Sequence, residues 1–320
     1  MPYLQVPALA MAVLLFIVMT TGDVYAQNYP VKPVRIVTTE TGSGNDLVAR
    51  LIAPWVSASF GHQVIVDNRG ILAGEIVAKA SPDAYTLLSY GSPLWLAPFM
   101  RERVPYDPVK DFAPITLAAS SPNILVVHPL LAVNSVRELI ALAKARPGEL
   151  NYSSSSTGAT PHLAAELFKA MAGVNIVRVP YKGSGQALTA LLGGEVQLMF
   201  PNSGAAAPQL KTGRLKALAV STSAPSALAP GLPTMSASGL PGYESVSPFG
   251  IFAPAGTPAP LIERINREMV AALRRADVTE RLFNAGVEVV ASSPGELAAT
   301  IKSEMAKWGK VIRDAGIREE

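Results

Sequence analysis

The sequence contains no cysteine. That absence excludes disulfide staples, lipid attachment at a cysteine and thiolate metal sites together. Histidine is nearly as scarce. His62, His128 and His162 are scattered along the chain, which argues against a transition-metal cluster and leaves few general bases. Charged residues make up 16% of the chain and the formal net charge is +3. No Lys and Arg cluster is interleaved with aromatics, so no nucleic-acid partner is expected. Several catalytic signatures are missing as well. There is no Gly-x-Ser-x-Gly elbow, no phosphate loop and no His-Glu-x-x-His helix, and Gly42-Ser-Gly44 lacks the third glycine of a dinucleotide fingerprint. Beyond the N-terminus no stretch is long and apolar enough to span a bilayer.

What is present points to a globular, exported protein. Hydrophobic residues are 49% of 320, enough for sizeable cores and about right for two medium domains. Residues 8–19 are an unbroken apolar run of twelve, followed by polar residues and then Val24-Tyr25-Ala26. Small residues at 24 and 26 suit a signal peptidase, so cleavage after Ala26 and a soluble mature chain in the periplasm are expected. A membrane anchor needs about 20 apolar residues, more than this run supplies. No Lys or Arg precedes the run, which is unusual for a signal.

Strands alternating with helices along the chain are the signature of α/β layers. Residues 34–38 read as a strand, Thr41-Gly-Ser-Gly-Asn-Asp46 as a tight loop, and Val48, Leu51, Ile52 and Trp55 as one face of a helix that Pro54 should kink or shorten. Residues 63–67 read as the next strand. The same order recurs at 150–180: strand, serine-rich loop, helix with Thr160 as N-cap and Pro161 at its first position, then strand. Ser135-Val-Arg-Glu138 and Ser293-Pro-Gly-Glu296 read as capping boxes, the first opening a helix through Ala145 and the second a helix through Trp308. Thr257-Pro258 starts another, with Ile262, Ile265, Met269 and Leu273 on one face. The Pro- and Ser-rich stretch 221–241 is the candidate linker back to the first domain.

The two glycine- and serine-rich loops, 41–46 and 153–162, carry the sharpest signal. A helix N-terminus offers unpaired N–H groups and a positive dipole end, and so holds a carboxylate without a charged side chain. Taken singly, each loop is as readily explained as a strand-to-helix turn. Their matched placement, one per domain, favours a clasp on a ligand between domains. Valine in place of Gly44 is expected to block close approach at the first loop. Val179-Pro-Tyr-Lys-Gly-Ser-Gly185 is a further loop into a helix, with Lys182 as counter-charge and Tyr181 as hydroxyl donor, although a solvated turn explains Lys182 equally well. His162 begins a helix, where histidine is more often structural. The serines at 153–156 invite a nucleophile, but with so few bases an exported serine hydrolase remains the minor alternative.

Along nearly its whole mature length the sequence resembles the Bug-type solute receptors of tripartite tricarboxylate transporters. The matching segments include Gly44-Asn-Asp-Leu-Val-Ala-Arg50, Val66-Asp-Asn-Arg69, Val104-Pro-Tyr-Asp-Pro-Val-Lys-Asp-Phe-Ala113, His162-Leu-Ala-Ala-Glu-Leu-Phe168, Val179-Pro-Tyr-Lys-Gly183 and Ala253-Pro-Ala-Gly-Thr-Pro258. The resemblance implies a two-domain α/β periplasmic-binding-protein fold, a type II-like Venus flytrap with the ligand cleft between domains. It also implies a carboxylate held by backbone amides and hydroxyls, delivery to membrane permease subunits, no cofactor and no chemistry on the ligand. Carried over by position, the ligand contacts are Ser43, Gly44, Asn45 and Asp46 on the first loop and Ser155, Ser156, Thr157, Thr160 and His162 on the second. Tyr181, Lys182, Gly183 and Asn202 complete the set. Asp46 suits a helix cap better than an anion contact.

Three departures bear on the ligand. The first loop is entered through Thr39-Glu-Thr41 in place of the family's Pro-Phe-Pro run, so Glu40 can select the ligand. The glycine-rich stretch after Asn68-Arg69 is shortened. Pro201 stands before Asn202 where the family often has aspartate, removing a partner for a ligand amine; a simple organic acid is therefore expected over an amino acid. The expected organisation is a signal at 1–26, a first domain from 27–122 plus 226–320, and a second from 123–225, acting as a monomer. A ligand-sensing protein that docks on a sensor kinase is the remaining alternative.

Overall fold

The computed structural model describes residues 29–319; the apolar run at 8–19 and the expected cleavage site after Ala26 lie outside them. The chain opens with β1 (Val34–Thr38), α1 (Gly44–Phe60), β2 (Val64–Asn68), α2 (Ala73–Ala78), β3 (Thr86–Gly91), α3 (Pro93–Met100) and β4 (Phe112–Pro122). It continues through β5 (Ile124–Val127), α4 (Val136–Ala145), β6 (Asn151–Ser154), α5 (Thr160–Ala172), β7 (Val177–Pro180), α6 (Ser184–Leu192), β8 (Leu198–Met199), α7 (Ser203–Lys211) and β9 (Lys216–Val220). Then follow β10 (Val246–Pro254), α8 (Ala259–Leu273), α9 (Ala276–Asn284), β11 (Glu288–Val289) and α10 (Pro294–Asp314).

The strands form two sheets, one of six in the order β11-β4-β10-β3-β1-β2 and one of five in the order β7-β6-β8-β5-β9. Each contains a parallel trio, β2-β1-β3 and β7-β6-β8, whose middle strand comes first in the chain. The remaining pairings are antiparallel. Helices cover both faces of each sheet. Val48 and Ile52 of α1, Ile265 and Met269 of α8 and Leu282 of α9 pack on one face of the first sheet. Trp95 of α3 and Trp308 and Ile312 of α10 join one continuous core with Leu163 and Phe168 of α5, because α10 packs against both α3 and α5. A single apolar layer therefore runs from one sheet to the other. Truncating either buried indole to alanine would cost about 3–5 kcal/mol.

Local chemistry explains most element ends, and it moves several from where the sequence alone places them. Ser43 caps α1 by accepting from the Asp46 N–H, and Gly61 ends it in the left-handed conformation at φ 66°. Pro54 neither shortens nor breaks that helix. It lies on the exposed face, where water can take the carbonyl bond its ring denies. The N-cap of α5 is Ala159, so Thr160 is its first helical residue. Strand β6 extends to Ser154, which buries Ser153 and Ser154 within the sheet. At Ser135 only half of the capping box forms, since the Glu138 carboxylate accepts from the Asn134 N–H at 2.8 Å. The box at Ser293 is complete. Its helix runs past Trp308 to Asp314 because Val311 and Ile312 continue the buried stripe, and Gly309 leaves room for Phe99.

The chain passes between the sheets twice, side by side. Val246 pairs with Pro122 at the end of the first sheet, and Ile124 pairs with Val220 at the start of the second. Between them the Asn123 N–H donates to Ser221 Oγ at 2.8 Å, the Ser221 N–H donates to the Asn123 carbonyl at 2.9 Å, and the Asn123 amide nitrogen donates to the Phe200 carbonyl at 2.8 Å. The stretch expected to be a linker is not a free tether. Thr234 bridges to Val220, and the fully buried Tyr243 donates to the Ala164 carbonyl at 2.8 Å, so the segment packs on the second sheet's side. A further contact joins the start of α7 to the turn before β11. Ser121 and Ser203 both donate to the Gly286 carbonyl at 2.8 Å.

Gly286 sits at φ +79°, and a Cβ there would lie 2.3 Å from the Gly204 nitrogen, so backbone meets backbone. Gly286→Ala is therefore expected to lose about 3 kcal/mol in urea unfolding, from left-handed strain plus overpacking. Gly213→Ala, at φ +68° with nothing within 4 Å, should lose only about 1–2 kcal/mol. Equal losses would mean that the Gly204–Gly286 contact is unimportant.

Candidate functional site

In an open α/β sheet a ligand binds beyond the carboxyl ends of the strands, where the strand order reverses. Each sheet here has that point. The chain leaves β1 for β2 on one side and returns to β3 on the other; β6, β7 and β8 repeat the pattern. The first loop leaves the carboxyl end of β1 and the second leaves that of β6. Each runs straight into a helix of three or more turns, α1 and α5.

The first loop is braced internally by an anion. Asp46 is 2% exposed. Its carboxylate accepts from the Gly42 N–H and from the Asn68 amide, both at 2.8 Å, and pairs with Arg50 at 2.8 Å. Burial works to raise its pKa, but those donors outweigh it and hold the carboxyl below the usual carboxylate range. Ser43 Oγ lies 2.6 Å from Thr39 Oγ1 and accepts from the Asp46 N–H. Gly44 has a role the sequence does not reveal. A Cβ there would sit 2.4 Å from the Phe249 ring, so valine at 44 tests packing against Phe249, not ligand approach. Asn45 is different. Its side-chain oxygen is buried without a partner among the described residues, which leaves that oxygen to accept from a donor on a ligand.

A cation braces the second loop. Arg178, in the middle of β7, donates from Nε to Ser154 Oγ at 2.8 Å, from Nη1 to Thr157 Oγ1 at 3.2 Å and from Nη2 to the Ser155 carbonyl at 3.0 Å. Burial lowers the pKa of its guanidinium, and the neighbouring Tyr152 and Glu166 oppose that. Because Thr157 Oγ1 accepts from Arg178, its own proton is left to donate elsewhere. Ser156 is exposed, Thr157 and Thr160 are half-buried and Ser155 is buried. His162 is 3% exposed, and its Nδ1 accepts from the Gly158 N–H at 3.1 Å. Burial, then the charges of Arg178 and Lys169, push its pKa down to about 3. It is a neutral brace of the loop.

The other expected contacts are less well gathered. The Tyr181 hydroxyl faces Glu195 at 3.3 Å, Lys182 is exposed, and Gly183 caps α6 without a side-chain bond. Asn202 caps α7, accepting from the Ala205 N–H at 3.1 Å, and its backbone bridges to Asn123 beside the crossover. Glu40 is exposed, with its carboxylate over Gly70. It also helps burial push the Tyr90 hydroxyl up to about 12. Arg178 is the residue sequence reasoning missed, because between Val177 and Val179 it reads as the polar member of an alternating strand. A cavity of about 530 Å³ lies apart from both loops, lined by Phe112, Pro114, Phe252, Ile301 and Met305. It lacks converging donors, so the loops remain the better candidate for a polar ligand.

Residues 48–317 match the profile of the tripartite tricarboxylate transporter family receptors. The chain is similar to Protein BugT of Bordetella pertussis, with 34% identity over 318 residues covering 96% of this chain and 98% of BugT. Among solved structures it is similar to a Rhodopseudomonas palustris protein with adipate (38% identity, TM-score 0.77, 91% of this chain and 99% of that one). It is also similar to MatC of Rhodopseudomonas palustris with bound malate (30% identity, TM-score 0.73, 89% and 100%). The periplasmic binding protein BugD shares the architecture at 30% identity and TM-score 0.75, over 91% and 100% of the two chains. The fold is the two-domain α/β fold of periplasmic binding proteins.

Two measurements test the bracing of the second loop. Arg178→Ala strands two hydroxyls and a carbonyl and should lose about 2–3 kcal/mol, with Arg178→Lys intermediate because it keeps charge without the fork. His162 is neutral in the fold, whereas a histidine in the unfolded chain has a pKa of about 6.5. The unfolded state therefore binds the extra proton, and stability falls as pH drops from that value towards 3, by up to about 1.4 kcal/mol per unit. His162→Asn should remove that share of the slope between pH 6 and 4.5; an unchanged slope would show that His162 is not buried neutral.

Proposed function

The chain belongs to the tripartite tricarboxylate transporter receptor family, and from that membership we propose that it captures a small organic carboxylate between its two domains and hands it, unaltered, to membrane permease subunits. Family members are periplasmic solute receptors that bind carboxylates, and relatives of known structure carry adipate or malate. In this reading the chain is exported with cleavage after Ala26 and works as a monomer. Its units are 27–122 with 226–320, and 123–225. The packing of Tyr243 against Ala164 favours shifting the second junction from 226 towards Ser245.

The observation that carries the reading is the contrast between the loops. The first already contains a carboxylate, Asp46, and that carboxylate uses the Gly42 N–H. The second contains none, and a guanidinium lies beneath it. A ligand carboxylate therefore seats on the second loop, against the N-terminus of α5, the Thr157 hydroxyl and Ser156. The first loop takes the other end of the ligand through Asn45 and Ser43, with Glu40 selecting among acids at that end. Gly44 and Asp46 shape this loop, as His162 and Thr160 shape the other. Pro201 and the capping duty of Asn202 leave no carboxylate there for a ligand amine, so a simple acid is favoured over an amino acid.

A thermal-shift series with adipate, malate, citrate and glutamate tests the reading. A ligand at a hundred times its dissociation constant adds about 2.7 kcal/mol of stability, which raises the melting temperature. An organic acid should raise it and glutamate should not. Thr157→Val should weaken binding of that acid about tenfold, by the loss of one charge-assisted hydrogen bond. Selective stabilisation by glutamate, or no stabilisation by any acid, would overturn the proposal.

A further inference from the structure

The second loop already has a carboxylate beside it, and it comes from this chain's own tail. After α10 the backbone is anchored by the buried Ile317. Arg318 Nη1 then donates to the Phe99 carbonyl at 3.0 Å, and the Glu319 N–H donates to the Met100 carbonyl at 3.0 Å. These bonds lay the tail along the end of α3. They bring the Glu319 carboxylate onto the Arg101 guanidinium and against Gly158 of the second loop. A Cβ at Gly158 would lie 2.9 Å from Glu319 Oε1 and 2.5 Å from Met100 Sδ. The Glu319 side chain is 18% exposed and that of Arg101 33%.

We propose that Arg101 is a ligand-recognition residue contributed by the first domain, and that Glu319 is a resident stand-in which a ligand carboxylate displaces from between Arg101 and Gly158. The inference rests on the proposed seating of a carboxylate on the second loop.

Three observations carry it. Guanidinium is the side chain that best matches a carboxylate, with two parallel donors in a fixed plane. The carboxylate it holds is pressed against the loop that is braced from beneath by a second guanidinium and contains no anion of its own. The pair keeps some contact with solvent, and exchange leaves the guanidinium paired, so a ligand carboxylate can replace Glu319 without stranding a charge. The exchange swaps one carboxylate for another on the same guanidinium. It frees two tail residues and closes the first domain onto the ligand through Arg101. Neither Arg101 nor Glu319 lies in a segment that the sequence singles out.

Calorimetric titration of the full chain with adipate tests this. Glu319→Gln removes the competing charge while preserving shape, and should bind adipate about fivefold more tightly. Arg101→Gln should bind it at least tenfold more weakly, and the double variant should behave like Arg101→Gln alone. A purely structural pair would instead lower the melting temperature in both single variants and leave the adipate affinity of each unchanged; that result would overturn the inference. If Thr157→Val weakens adipate binding while Glu319→Gln has no effect, the inference falls and the carboxylate reading stands. If neither wild type nor any variant binds adipate, malate or citrate, both fall.

Discussion

The candidate site depends on how unpaired backbone N–H groups are managed at two helix starts. Each of α1 and α5 begins where the middle strand of a parallel trio ends, and each presents donors that nothing within its own helix can satisfy. The two starts solve the problem in opposite ways. Asp46 folds back on the first loop and uses its donors internally, with Arg50 and Asn68 balancing the charge. Arg178 grips the second loop from below through oxygens alone; His162 Nδ1 takes the Gly158 N–H and the Ser156 carbonyl takes the Ala159 N–H, so this loop is braced without a carboxylate of its own. Two loops that look equivalent in sequence are thus braced by charges of opposite sign, Asp46 within the first and Arg178 beneath the second.

The fold around them serves that asymmetry. Continuous core packing through Trp95, Trp308 and Phe168 ties the sheets together along α3, α10 and α5, and the paired crossover at Pro122, Asn123 and Val246 joins them on the other side. Movement of one sheet against the other must go through those few contacts. The close approach of Gly204 and Gly286 shows how little side-chain material separates the domains there. The proposed capture by closure would be a matter of small rotations about this short hydrogen-bonded hinge, with the ligand's polar ends replacing water at both helix starts.

Much of this was legible in the sequence because it rests on local chemistry. Ser43 before an apolar stripe, Gly61 after it, Ser293 three residues before Glu296, and the repeated order of strand, loop and helix all speak within a few residues of themselves. The resemblance carried by Gly44-Asn-Asp46 and Val179-Pro-Tyr-Lys-Gly183 reached the right family and the right fold. What was not legible depends on partners far away in the chain. Gly44 is a glycine because Phe249 is there, Gly309 because Phe99 is there, and Arg178 matters because β7 lies beside β6. Local rules also misjudged Pro54, Thr160 and the end of β6, where exposure and sheet pairing decided the outcome.

In the proposed mode of binding, a ligand carboxylate rests on the second loop and not on the first. A crystal structure of the protein grown with adipate tests it most directly. A carboxylate is expected within about 3 Å of the N–H groups of Ser156 and Thr157 and of the Thr157 hydroxyl, with Arg178 still beneath the loop. A carboxylate found instead on the first loop, or in the apolar cavity between Phe112 and Met305, would contradict it.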